Sequence, residues 1–497
     1  MVYDCPLFNL VLSLKKHMES QSVYLQSLGA AETVTGSKHL LIAPGFKLMV
    51  DCGLFQGIKS LRERNWVKPP VDVTTIDAIL LTHAHLDHCG YLPLLIKNGY
   101  RGKVYMSEPT RDLTELILRD SAKLQEEDAD KANRHGYSKR NPALALYTTK
   151  DVEAALLKFV TIDVLKEYRL TPNIWFKFYP AGHILGACSV EVNCYDKTVL
   201  FSGDIGRYQS EMLPAPQHPK AADYIVMEST YGDRLHKTSQ LTDELAFVIK
   251  DMLFHGGNLL IPCFAVGRAQ DVIHLLYKLK QEKEIPVSLP VFLDSPMAAS
   301  ASRTLLQHTD WVMISAKECS QMFSGVTISQ DYQQTRKIIR QKNSKIILAA
   351  SGMMTGGRVL EYLKHYLPDA KNTILLIGFQ AEGTRGRALL NQAPEIKIHG
   401  QYYPVRAQVK EIGGLSAHAD QGELLRWLGE FNSKPSKVYL VHGEPSAQEA
   451  LRVKIKDECK VNTIIVKENQ PELLFTIKNQ ETGAAEVNDQ PQVSLHS

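Results

Sequence analysis

Apolar positions along the chain fall into three successive rhythms. From residue 23 to 204, short runs of Val, Ile, Leu and Met end in polar loops at 23–28, 39–42, 47–50, 78–81, 104–106 and 198–201. Such runs, bounded by polar residues, predict strands of a layered α/β unit. Between them, 110–131 and 151–166 carry the i, i+3, i+4 spacing of helices, joined by a basic loop, 131–142, that reads as a solvated connection. From about Tyr231 to Gln401 the rhythm becomes strand, glycine loop, helix: 259–262 leads into 269–280, 291–293 into a small-residue helix, and 346–350 into 359–366. Units of this kind build a parallel sheet and put ligand contacts at the carboxyl ends of its strands. After Gln401 the first rhythm returns, with a strand at 407–412, a helix at about 421–431 and a strand at 438–441.

The expected organisation is an N-terminal extension (1–21), a layered unit in two pieces (22–230 and 402–475), an inserted parallel-sheet unit (231–401) and a tail (476–497) too poor in apolar residues to fold alone. A length of 497 residues exceeds what one core supports, in line with two units. No run reaches the roughly 18 apolar residues of a membrane helix. The start lacks the order of a signal peptide, because its basic pair follows the apolar run and no small-x-small site appears; Met18 reads as an alternative initiator.

A net charge of +3 excludes binding of nucleic acid by bulk charge, so a polyanion would need a local patch. Eight cysteines without a C-x-x-C pair argue against a disulfide framework or a thiolate zinc knuckle, and a reducing cytoplasm is the expected compartment. Composition leaves the oligomeric state open, a homodimer included.

The chemistry concentrates in His83-Ala84-His85-Leu86-Asp87-His88, between a buried strand-like run (76–81) and a helix beginning near Tyr91. Amphipathic patterning does not account for three histidines and an aspartate in six residues. Zinc, which takes imidazole nitrogen and carboxylate oxygen at about 2.0–2.2 Å, does. A histidine-rich metal trap without catalytic use is the competing reading.

This segment is the intact H-x-H-x-D-H hallmark of the metallo-β-lactamase superfamily, which the chain resembles. Asp51 in Val50-Asp51-Cys52-Gly53, His183 in Gly182-His183-Ile184 and Asp204 in Gly203-Asp204-Ile205 resemble the family's other motifs in chain order. The resemblance implies an αββα sandwich and two Zn²⁺ per chain. The first would be bound by His83, His85, His183 and Asp204, the second by Asp87, His88, Asp204 and His442, with Asp51 orienting the metal loop.

The long insertion between Asp204 and His442 is similar to that of the β-CASP group, which acts on nucleic acids. Its three extra motifs are read at Glu228, His418 and His442, and a histidine at the third goes with RNA in that group. The nearest likeness is to the bacterial RNA-processing branch without appended RNA-binding domains.

This implies a ribonuclease acting on single-stranded RNA, in which two metals about 3.5–4 Å apart activate water. His418 would protonate the departing 3′-oxygen, with Glu228 holding its ring. The loop at Ser351, Gly352 and Met353 is expected to nest a phosphate, and Arg268 and Arg358, with Arg385 and Arg387, to flank the RNA groove. Hydrolysis of DNA or small phosphodiesters, and an RNA-binding scaffold without turnover, are the alternatives.

Overall fold

Alternation along Ile174–Pro180 shows how the layers form. Ile174, Phe176 and Phe178 are buried, whereas Trp175, Lys177 and Tyr179 are half-buried, the period-two pattern of a strand with one face on a core. The computed structural model describes residues 21–135, 141–236, 241–329 and 331–477. The expected extension before Gln21, the middle of the basic loop and the tail beyond Ile477 lie outside the described residues.

The first sheet runs β1 (Ser22–Gly29), β2 (Lys38–Ala43), β3 (Phe46–Val50), β4 (Ala78–Leu80), β5 (Lys103–Met106), β6 (Phe159–Thr161). The second contains β7 (Tyr168–Thr171), β8 (Ile174–Pro180), β9 (Cys188–Cys194), β10 (Lys197–Phe201) and β11 (Tyr224–Met227), each beside the next. The chain then builds a third sheet from β12 (Leu259–Pro262), β13 (Val291–Asp294), β14 (Thr327–Ile328), β15 (Ile346–Ala349) and β16 (Thr373–Ile377). A hairpin of β17 (Glu395–Ile398) and β18 (Gln401–Pro404) precedes β19 (Gln408–Ile412), the far edge of that sheet. Its order is β14-β13-β15-β12-β16-β19, and every pair is parallel. Finally β20 (Lys437–Leu440) and β21 (Thr463–Ile465) extend the second sheet beside β11, and β22 (Pro471–Thr476) pairs with β1.

The first two sheets face each other across Val23, Leu25, Leu41 and Leu48 on one side and Phe176, Phe178, Val190 and Phe201 on the other. Alternate residues point outward to helices. Leu113, Ile117 and Leu118 of the helix Glu108–His135 cover the first sheet at Ile79, Val104 and Met106. Leu424, Trp427 and Leu428 of the helix Gln421–Gly429 cover the second at Leu200, Ile225 and Met227. Each fully buried Leu or Phe contributes about 1.5–3 kcal/mol. The result is an αββα sandwich with an inserted parallel-sheet domain. The apolar core runs on into the insertion through Leu185, Met212, Val266 and Leu305.

Two expectations change. The segment expected as one helix over 151–166 is helical only over Thr149–Leu156; Phe159–Thr161 then pairs with β5, because an edge of the first sheet is free there. Residues 408–412, expected in the returning sandwich, instead close the parallel sheet against β16, so the inserted sheet ends eleven residues beyond the expected boundary at Gln401. A five-residue strand carries no local sign of which sheet it will join.

Candidate active site

β3 and β4 are parallel neighbours ending side by side at Val50 and Leu80. Just past the first, Asp51 sits in the left-handed region (φ 61°), at a cost of about 1–2 kcal/mol, and turns its carboxylate toward the second. There it accepts the Thr82 amide (2.8 Å) and hydroxyl (2.9 Å). His83 follows, and His85 opens a one-turn helix, Leu86–Cys89, carrying Asp87 and His88. The turn is clamped by backbone: Ser37 N to Asp87 O at 2.9 Å, Cys52 N to His88 O at 2.6 Å and Leu54 N to Leu86 O at 3.0 Å. Such close approach requires glycine at position 53, where a Cβ would lie 1.5 Å from the Asp87 carbonyl oxygen.

Three distant segments complete the cluster. His183 follows β8, Asp204 follows β10, and His442 follows β20 with φ 50°. Their donor atoms form two sets that share Asp204. In the first, His83 Nε2 and His183 Nε2 each lie 3.1 Å from His85 Nδ1, and 3.3 and 3.4 Å from Asp204 Oδ2. In the second, His88 Nε2 lies 3.2 Å from His442 Nε2 and 3.3 Å from Asp204 Oδ1, and His442 Nε2 is 3.6 Å from Asp87 Oδ2 and 3.7 Å from Asp204 Oδ1.

Four donors held tetrahedrally at about 2.0–2.1 Å from zinc stand about 3.3–3.4 Å from one another. The first set, at 3.1–3.4 Å, matches that spacing, the second, at 3.2–3.7 Å, is slightly wider, and Asp204 turns one oxygen to each. Buried Asp204 Oδ1 accepts no hydrogen bond. The residues present therefore fit a pair of zinc ions.

The outer partners set the tautomers. The Thr82 hydroxyl, donating to Asp51, accepts from His83 Nδ1 (3.0 Å), and the Thr230 hydroxyl, donating to Glu228 (2.6 Å), accepts from His442 Nδ1 (3.0 Å). His88 Nδ1 donates to Asp51 at 2.7 Å. In all three rings Nε2 is left facing the shared centre. Sequence reasoning found neither threonine, although each lies within two residues of a predicted site residue.

Burial, reinforced by neighbouring imidazoles, lowers the pKa of His83 and His183 and pushes His85 down to about 3, which keeps these rings neutral as zinc ligation requires. Around His88 burial is outweighed by Asp204, Asp51 and Asp87, which push it up to about 10. That concentration of carboxylate charge favours a dication.

Glu228, fully buried at the end of β11, presents both carboxylate oxygens to His418 Nδ1 at 3.1 Å. The other nitrogen, Nε2, lies 3.9 Å from Asp204 Oδ2. His418 is set from both sides. After it, Asp420 and Glu423 form a capping box that starts the helix Gln421–Gly429. Before it, Arg207 donates to the Gly414 carbonyl (2.9 Å) and Arg268 to the Leu415 carbonyl (2.7 Å).

Family models match the chain over residues 37–240 (metallo-β-lactamase superfamily), 269–389 (β-CASP domain) and 402–466 (Zn-dependent metallo-hydrolase RNA specificity domain). The chain is also 36% identical over 426 residues to ribonuclease TTHA0252 of Thermus thermophilus, covering 84% of this chain and 92% of that one. It belongs to the β-CASP group of the metallo-β-lactamase superfamily.

Other β-CASP relatives include transcription termination factor FttA of Methanocaldococcus jannaschii, 32% identical over 84% of this chain, of which the chain spans 66%, and an RNase J-like protein of the same organism, 30% identical over 84% of this chain and 92% of its own length. Among solved structures, a protein of unknown function from Enterococcus faecalis V583 shares the fold, with a TM-score of 0.50 and 12% identity over 91% of this chain and all of that one. This family assignment makes the chain a metal-dependent hydrolase.

The β-CASP insertion brings its strand ends to this centre. Phe264, just after β12, has its ring 6.1 Å from that of His85, and Gly352 packs against it, so the Ser351–Gly352–Met353 loop stands one ring away from the metal cluster. The arginines differ from expectation. Arg358 is paired inward with buried Asp294 (2.5 Å), and Arg268 with Asp271 (2.6 Å) as well as the Leu415 carbonyl. Arg385 bonds the Lys397 and Met354 carbonyls, and Arg387 reaches Glu444 at 3.0 Å. In this structure these cations pair with carboxylates and backbone carbonyls of the loops around the site.

Proposed function

We propose that this chain is a zinc-dependent ribonuclease that hydrolyses phosphodiester bonds of single-stranded RNA. The observation that carries the reading is the pair of donor sets sharing Asp204, with His418 Nε2 held 3.9 Å from the shared carboxylate by Glu228. The names of the Thermus ribonuclease and the Methanocaldococcus termination factor support RNA as the substrate.

Two zinc ions, in the ligand sets given above, would supply the Lewis acidity that activates water and draws charge from the phosphate oxygens. The chain's own residues do the rest. Asp51, Thr82 and Thr230 fix the ligand rings. His418, protonated and oriented by Glu228, delivers a proton from Nε2 to the departing oxygen as the P–O bond breaks, and Glu228 balances the ring's charge. Among the described residues seven cysteines are unpaired, six of them buried, which supports a reducing cytoplasm, and no described helix is long and apolar enough to cross a membrane.

The deciding experiment compares end-labelled single-stranded RNA, DNA of the same sequence and a small phosphodiester, with and without a chelator. Cleavage of RNA in preference to the others, abolished by chelation, is expected. Cleavage of DNA alone overturns the substrate class, and RNA binding by zinc-loaded protein without turnover of any substrate overturns catalysis.

A further inference from the structure

Around the metal cluster runs an arc of rings whose two ends the proton-transfer and metal-binding chemistry does not use. Starting from Phe264, the ring centroids are 6.1 Å to His85, 5.0 Å to His183, 4.5 Å to His418, 6.2 Å to Tyr231 and 6.0 Å to Phe379. The interior of the arc is the ligands His85 and His183, the acid His418 and, beyond it, buried Tyr231. Its ends are two phenylalanines, each just past the carboxyl end of a strand of the parallel sheet, β12 and β16, which are neighbours.

Both end rings are only half-buried, whereas Cys263, Ala265 and Val266 beside the first, and Gly378 and Gln380 beside the second, are buried. A phenylalanine left partly open among buried neighbours, beside His85 or Arg387, gains nothing from its solvent-facing carbon unless something apolar covers it. Each ring is also backed. Gly352 packs so closely on Phe264 that a Cβ there would stand 2.9 Å from the ring and 3.0 Å from its backbone nitrogen. The Arg387 guanidinium lies 5.6 Å from the centre of Phe379 and is itself tied to Glu444. A planar apolar surface, braced from behind and flanked by a cation, is what unpaired bases stack on, and every base offers a π-face regardless of sequence.

We propose that Phe264 and Phe379 are stacking surfaces for the nucleobases on the two sides of the scissile phosphate. This rests on the ribonuclease reading, and names the feature by which the site selects unpaired strands: a base held in a duplex is already stacked on its neighbours. The backbone is read at the metal cluster, and the two rings hold the strand in register across it.

The test uses the zinc-loaded full chain and a single-stranded RNA whose cleavage position has first been mapped, beside the same RNA with abasic residues flanking that position. The wild type is expected to lose about 5- to 150-fold in kcat/KM for each abasic position, the range of one stacked base. Phe264→Leu and Phe379→Leu are expected to lose a comparable factor on intact RNA and little further on abasic RNA, and Phe264→Trp to recover most of the loss. Affinity, read by fluorescence anisotropy in a His418→Ala background, should follow the same pattern. Equal losses on intact and abasic RNA would mean that the rings serve packing only, and equal cleavage of both RNAs by the wild type overturns the proposal while leaving the ribonuclease reading in place. If the wild type cleaves neither RNA, that reading falls first.

Discussion

Glu228 meets His418 through both carboxylate oxygens at 3.1 Å, and the histidine's far nitrogen looks across 3.9 Å at the carboxylate shared by the two donor sets. Burial by itself would lower the His418 pKa; the charges of Glu228 and then Asp204 outweigh it and raise the value above the ordinary one. The acid form therefore persists to higher pH than in a free histidine. Glu228→Gln keeps a hydrogen-bonding partner but removes the charge, so the alkaline limb of the kcat/KM profile is expected to move to lower pH. His418→Ala should lower kcat about 10²- to 10⁴-fold with zinc retained. Full activity of His418→Ala in a single-turnover assay would remove it from the acid role.

Metal analysis of carefully purified protein is expected to give two zinc ions per chain. His85→Ala should weaken the first set and His442→Ala the second, while Asp204→Ala removes both. Chelation should also lower the melting temperature, since a ligand at 100–1,000 times its Kd stabilises by about 2.7–4.1 kcal/mol. An unchanged melting curve after complete zinc removal would separate the cluster from folding.

Gly53→Ala tests the clamp on the metal loop. The added Cβ would stand 1.5 Å from the Asp87 carbonyl oxygen and 2.6 Å from the His88 amide, contacts that only a backbone shift relieves. Loss of zinc, or of soluble protein, is expected from this single methyl group. Zinc stoichiometry equal to the wild type would show that the loop has more room than its hydrogen bonds suggest.

Arg358 and Arg268 separate support from substrate contact. Removing Arg358 leaves Asp294, fully buried, without its cation, and breaking such a pair costs about 3–5 kcal/mol. Arg358→Ala should therefore shift the urea midpoint strongly. Arg268→Ala releases the Leu415 carbonyl ahead of His418, so kcat is expected to fall more than KM rises, with Arg268→Lys restoring part of it. A steeper salt dependence of RNA affinity in the wild type than in either variant would return that arginine to phosphate binding.

Much of this was written in local pattern. Short apolar runs ending in polar loops mark β1 to β5 within a residue or two, and the strand-glycine-helix rhythm announces the parallel sheet. Every residue expected to hold metal converges on one centre, since imidazole and carboxylate in such density beside glycines have little other use. The His418–Glu228 pair met as expected too.

Tertiary structure decided what depends on who stands next to whom. The strand at Gln408–Ile412 has no signature of its sheet; packing places it beside β16, at the edge of the parallel sheet. Thr82 and Thr230 acquire meaning only when their hydroxyls fall between a carboxylate and an imidazole. Arginine looks the same in sequence whether it faces phosphate or carboxylate, and here Asp294, Asp271, Glu444 and the Leu415, Lys397 and Met354 carbonyls pair with the four expected at the groove. The sequence by itself determined the donors and the layers, through composition and periodicity. Their partners followed only from packing, because a hydrogen bond is specified by distance in space and not along the chain.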